Sequence, residues 1–189
     1  MRTATWIGPT RSGTSTDLSD EPHALTRPGD ERHVAQVTGF FHAGITVRDM
    51  DVSLPFYRDA LGLEMAFERV LGADYLRTVL ALPLTEIRIV YLHIPGGGYV
   101  ELLEYHGLET MTAASRPCDF GAGHLCLYVD DIDELVEKAF AMGFRARSEK
   151  CVDITAGPNA GARSIYLLDP DGYAIELFQK AAAPPAEQP

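Results

Sequence analysis

Cysteine is scarce in this chain. Its 189 residues include three cysteines, Cys118, Cys126 and Cys151. The number is odd and no C-x-x-C spacing occurs, so a reduced, cytoplasmic protein is the expected reading. Long apolar runs are missing too. No stretch of about 18 uninterrupted apolar residues exists, which argues against a membrane span. The opening segment MRTATWIGPTRSGTSTDLSDEP lacks the apolar centre of a secretory signal. Positive charge is also in short supply: 16 Lys and Arg face 27 Asp and Glu, for a formal net charge of −11. Phosphate backbones need clustered Lys and Arg, so no nucleic-acid partner is expected, and adhesion to an anionic membrane surface is disfavoured. A small anionic substrate is not excluded, because a local arginine or a metal overrides global charge. The rest is ordinary: 46% hydrophobic and 23% charged residues, in a length suited to one domain or two small modules sharing a core.

Residues 1–38 are rich in Ser, Thr, Pro, Gly and Asp without periodicity and read as a disordered or loosely docked arm. Residues 181–189 read as a flexible tail. Between them, 39–180, the chain repeats itself. HAGITVRDMD from His42 lies over HLCLYVDDID from His124 at an offset of 82 residues, matching Val47 to Val129, Asp49 to Asp131 and Asp51 to Asp133. RIVYLHIPGGGYVELLE from Arg88 lies over RSIYLLDPDGYAIELFQ from Arg163 at an offset of 75, matching Tyr91 to Tyr166, Gly97 to Gly172 and Glu101 to Glu176. The difference of seven requires only a longer middle stretch in the first copy. Two modules follow, about 39–108 and 120–180.

Each copy reads as βαβββ. Residues 40–47 alternate and carry β-branched side chains, as a strand does. Asp49 is placed to cap a helix of about 51–61, with Pro55 in its first turns and Gly62 at its C′ position. Strand 122–129 and helix 132–142, closed by Gly143, are the second copy's counterparts. Three strands follow each helix: 63–72, 86–94 and 98–106, then 145–152, 162–168 and 173–180, with PGGG and DPDG as turns. The fold class is α+β: two βαβββ modules forming a cleft-shaped, half-open mixed sheet.

Alternation then sorts the strand faces. Leu125, Leu127 and Val129 suit the space beneath a helix, which puts His124 on the other face. The same reasoning puts His42, Glu101 and Glu176 on the helix-free faces. If the copies are related by pseudo-symmetry, His42 comes near His124 and Glu101 near Glu176. Two imidazoles and two carboxylates suit one divalent metal ion, Mn, Fe, Co, Ni or Zn. Carboxylates in an apolar cleft are costly without a cation.

These motifs resemble the vicinal oxygen chelate superfamily, which includes glyoxalase I, methylmalonyl-CoA epimerase, extradiol dioxygenases and the bleomycin- and fosfomycin-resistance proteins. FHAGITVRDMDVSLPFYRDALGLEM resembles its opening strand and helix, and YVELLEYHG its second-ligand strand. GHLCLYVDDIDELVEKAFAMGFR and IYLLDPDGYAIELFQ resemble the opening and closing of its second module. The resemblance covers about 39–180. It implies a glyoxalase-like fold and an octahedral metal site whose ligands fall on His42, Glu101, His124 and Glu176, with the substrate chelating through neighbouring oxygens. It implies a lyase, isomerase or epimerase acting through an enediolate on a small carbonyl or acyl-thioester compound. Glu176 or Glu101 would serve as the base, and Glu86 is the nearest candidate for a separate one, about two residues from the position the epimerase pattern calls for. Extradiol dioxygenases hold their iron with three protein ligands and resistance proteins commonly lack the set. A ring-cleaving Fe(II) dioxygenase and a small-molecule binding protein are the alternatives. A small-molecule substrate and a homodimer are the partners expected.

Overall fold

The computed structural model describes residues 35–72, 74–113 and 115–182. Most of the arm and tail anticipated above lies outside the described residues. The described residues from Gly39 onward belong to one compact unit.

The first module runs β1 (His42–Thr46), α1 (Met50–Pro55), β2 (Met65–Leu71), α2 (Asp74–Leu80), β3 (Glu86–His93) and β4 (Tyr99–His106). Asp49 caps α1 as expected: its extended backbone lets the carboxylate accept from the amides of Asp51 at 2.9 Å and Val52 at 3.4 Å. The helix does not continue as a single α-helix to residue 61. Pro55 supplies no N–H and crowds the carbonyl one turn back. From Phe56 to Ala60 the coil widens into a π-helical turn, with Leu61 N–H donating to Phe56 O at 3.0 Å. Gly62 then leaves the helix at φ +73, a conformation open to glycine. The extra residues of the first copy contain a helix that periodicity did not reveal, α2, whose Leu76 and Leu80 pack on the face of the sheet away from α1, beside Leu84, Ile87 and Ile89.

The second module runs β5 (His124–Tyr128), α3 (Ile132–Ala141), β6 (Arg145–Ala146), β7 (Val152–Asp153), β8 (Arg163–Leu168) and β9 (Ala174–Gln179). Asp131 caps α3 as Asp49 caps α1, accepting from the amides of Asp133 and Glu134 at 3.1 and 3.0 Å. The expected strand 145–152 is broken. Its polar middle turns on itself, Ser148 Oγ donating to Lys150 O at 3.0 Å, and only the two short ends pair with β8.

The sheets share a topology. The first has the order β1-β4-β3-β2 and the second β5-β9-β8-β6, with β7 also on β8. β1 lies parallel to β4 and β5 parallel to β9, while β3 with β4 and β8 with β9 are antiparallel. One apolar core joins the helix-side faces of both sheets: Ile45, Val90 and Leu102 from the first, Ile165, Ile175 and Leu177 from the second, with Met50, Phe56, Ile132 and Val136 from the helices. Phe56 meets Phe144 edge-on at 4.9 Å between ring centres.

A buried hydrogen bond also links the modules. Tyr57, fully buried, donates to Asp169 Oδ2 at 2.7 Å, and Asp169 Oδ1 accepts from the amides of Asp171 and Tyr173. Burial pushes the Asp169 carboxyl above its ordinary range; the Tyr57 hydroxyl pulls it back. A carboxyl raised in the folded state favours folding while protonated, and that contribution fades as pH rises through the folded value. Tyr57→Phe should cost about 1.5–3 kcal/mol in urea unfolding near neutral pH, the range for a hydrogen bond to a charged group. The deficit should shrink as pH falls through the raised Asp169 value; a deficit independent of pH would refute this role for Asp169.

Candidate metal centre and cavity

Strand register builds the same arrangement twice. In the parallel pairing Glu101 lies opposite Gly44, and His42 stands two residues before Gly44 on β1. Glu176 lies opposite Cys126, and His124 stands two residues before Cys126 on β5. In the antiparallel pairing Tyr91 is the partner of Glu101 and Tyr166 the partner of Glu176. Each carboxylate thus has an imidazole on one side and a phenol on the other, all on the sheet face away from α1 or α3.

The contacts follow. His42 Nε2 lies 3.0 Å from Glu101 Oε2, and Tyr91 donates to Glu101 Oε1 at 2.6 Å. His124 Nε2 lies 3.2 Å from Glu176 Oε2; Tyr166 donates to that oxygen at 3.1 Å, and Ser164 to Oε1 at 2.8 Å. The first half is the more buried, Glu101 being 9% exposed. Phe67 stacks on Tyr91 at 4.6 Å between ring centres. Burial, then the Glu101 carboxylate, push the Tyr91 phenol well above its ordinary value, so it stays a neutral donor. Burial, helped by Glu176, pushes the Cys126 thiol up to about 11.

The expected convergence of all four residues is not formed. Among the described residues, no three His, Cys, Asp or Glu side chains come together closely enough to hold one ion. Register places each histidine within reach of the glutamate on the adjacent strand of its own sheet. Nothing in register draws it to the other sheet. The residues nevertheless fit a metal chemically: each half offers an imidazole nitrogen and carboxylate oxygens, a donor set suited to borderline divalent ions. Glu101 supports the fit, since this carboxylate, largely removed from water, has no Lys or Arg salt-bridge partner among the described residues.

A cavity of about 560 Å³ lies between the two modules, and of the four candidate ligands His124 alone lines it. Gly44, Thr46 and Tyr105 line it from the first sheet, and His124, Tyr166 and Ala174 from the second. Glu86 is not part of this arrangement. It is exposed at the start of β3, and alternation puts it on the side of Arg88 and Val90, away from Tyr91 and Glu101. Arg88 is tied instead to Glu68 at 2.6 Å and Asp51 at 2.9 Å. Tyr91 and Tyr166 were visible in the sequence as matched repeat positions, but only the pairing partner shows what they hold.

The family model described as Glyoxalase/Bleomycin resistance protein/Dioxygenase superfamily matches residues 39–177. The chain belongs to this superfamily. Among similar superfamily proteins is one named 2-epi-5-epi-valiolone epimerase from Actinomyces, 31% identical over 83% of this chain and 87% of that protein. Another is a lactoylglutathione lyase of Haemophilus influenzae, 28% identical over 73% of this chain and 90% of that one. The crystal structure of a glyoxalase-family protein from Bacillus cereus superposes with a TM-score of 0.65 at 19% identity, covering 78% of this chain and 97% of that one. That last likeness is one of fold.

The two halves should differ in their dependence on the phenol. Tyr91→Phe removes a short bond to a buried carboxylate and should destabilise the metal-free protein by about 1.5–3 kcal/mol. Tyr166→Phe, at a more open glutamate that keeps Ser164, should cost about 1 kcal/mol or less. Urea denaturation of both variants checks the order.

Proposed function

We propose that the chain is a metal-dependent epimerase or lyase that moves the proton next to a carbonyl in a small molecule, with the His42–Glu101 and His124–Glu176 pairs as the two halves of a divalent-ion site. The observation that carries this reading is the repeated His–Glu–Tyr set, built in the same register on both sheets. Relatives named as an epimerase and as lactoylglutathione lyases support it. The bound ion would polarise the substrate carbonyl and make the neighbouring C–H more acidic.

The protein's own groups divide the remaining work. Glu101, clamped by Tyr91 and buried, is suited to fixed positioning. Glu176 is held by longer contacts to Tyr166 and His124, and His124 faces the cavity. Glu176 is therefore the carboxylate assigned to accept the α-proton, which it returns to the adjacent carbon in an isomerisation, whereas an epimerisation needs a second acid to supply a proton on the opposite face. Tyr166 and Ser164 orient its oxygens. Four protein ligands leave fewer positions for catechol and oxygen than three, which disfavours ring cleavage.

A homodimer is also proposed. β2 is an edge strand with Met65, Phe67 and Val70 exposed, the kind of edge a second copy covers. Light scattering should give twice the chain mass.

Metal analysis should find one divalent ion per chain. His42→Ala and His124→Ala should each weaken binding by more than the roughly 10–100-fold that loss of an outer partner costs. The loaded protein should exchange the α-proton of a 2-oxo, acyl-CoA or hemithioacetal compound in D₂O, and Glu176→Ala should abolish this. Undiminished exchange by metal-free Glu176→Ala protein would overturn the proposal.

A further inference from the structure

The charged side chains of the cavity wall have a net sign opposite to that of the chain. Three arginines line it, Arg48, Arg116 and Arg147, against one carboxylate, Asp171. The whole chain carries −11, so the surrounding field repels anions, and such a patch needs a local explanation.

Two of the three arginines have acidic partners. Arg48 Nε lies 3.5 Å from Asp171 Oδ1, and its Nη2 donates to Thr112 Oγ1 at 2.8 Å. Arg116 holds Asp119 at 2.6 Å. Arg147 has no carboxylate partner among the described residues. Its Nη2 donates to the Ser115 carbonyl at 3.2 Å, which leaves the other guanidinium N–H groups available. Its backbone amide donates to Tyr166 O at 2.9 Å, so Arg147 is anchored beside the residue that holds Glu176. Thr110, Thr112 and Ser115 also line the cavity.

We infer that this wall is an oxyanion subsite. It takes the phosphate monoester or carboxylate end of the substrate, with Arg147 as its principal cation, while the reacting end lies toward His124 and Glu176. The inference rests on the reading of the cavity as the substrate site. A planar guanidinium fork matches both oxyanions. Fixing the distal end places the α-carbon against the carboxylate, a use of binding energy remote from the bond that breaks.

The probes are inorganic phosphate and acetate, titrated into the full chain at constant ionic strength and followed by NMR shifts. At least one should bind saturably, and which one binds more tightly identifies the end group. Arg147→Gln should weaken that binding about tenfold or more, the loss of one charge-assisted contact. Arg147→Lys should retain part of it. Arg163→Gln, at a residue paired with Asp133 on the other side of the second sheet, should leave it unchanged. No saturable binding by the wild type, or equal loss in the Arg147 and Arg163 variants, overturns the inference. Intact metal binding and exchange in a protein that ignores both anions would sink the subsite alone. Anion binding through Arg147 without metal or exchange would sink the proposed function alone.

Discussion

The parallel pairing between the first and last strands of each module is the constraint on which the rest depends. In β1–β4 and β5–β9 the register sets histidine two residues behind the position opposite glutamate. Sliding either pair by one residue would turn its His or Glu to the helix side, because strand side chains alternate with a period of two. The antiparallel neighbour then adds a phenol to the same carboxylate. A site built this way is positioned by backbone hydrogen bonds, so its parts are held by the sheet itself.

The opposite faces keep those registers in place. Ile45, Val90 and Leu102 on one sheet and Ile165, Ile175 and Leu177 on the other enter a single core with both helices. A register slip would expose this apolar set to water, at about 25 cal/mol for each Å². Repeated ion pairs hold the helix starts to the sheets: Arg88 with Asp51 in the first module, Arg163 with Asp133 in the second. The two arginines are repeat mates with a structural role. The modules are joined asymmetrically, however. Tyr57 and Asp169 link helix to turn across the modules, and Arg48 reaches Asp171 in the same turn. This joint is beside the cavity, so the residues that shape the cavity also bind the modules together.

Charge is distributed with similar economy. The acidic chain carries three arginines, Arg48, Arg116 and Arg147, in the lining of the cavity that His124 also lines. Net charge alone disfavours nucleic acids and anionic surfaces. It does not determine what a pocket a few ångströms wide attracts, because nearby charges dominate within a Debye length of about 10 Å.

Much of the fold was legible in the sequence because the chain states it twice. The 82- and 75-residue offsets, the caps at Asp49 and Asp131, and the glycines after each helix are local signals, and local signals need no partner to be read. The faces carrying His42, Glu101, His124 and Glu176 followed from alternation. Three features needed the folded structure. Pro55 turned an expected α-helix into a π-helical turn, a matter of one missing N–H in a particular coil. The helix Asp74–Leu80 forms where its leucines find the open face of the first sheet, a distant surface that local periodicity does not show. Most of all, the sequence determined which residues share a face, whereas only the tertiary structure decided which of them touch. Alternation is a property of one strand. Contact depends on register between strands and on how two sheets meet, and here register joins each histidine to its own glutamate, while of the four residues His124 alone lines the cavity.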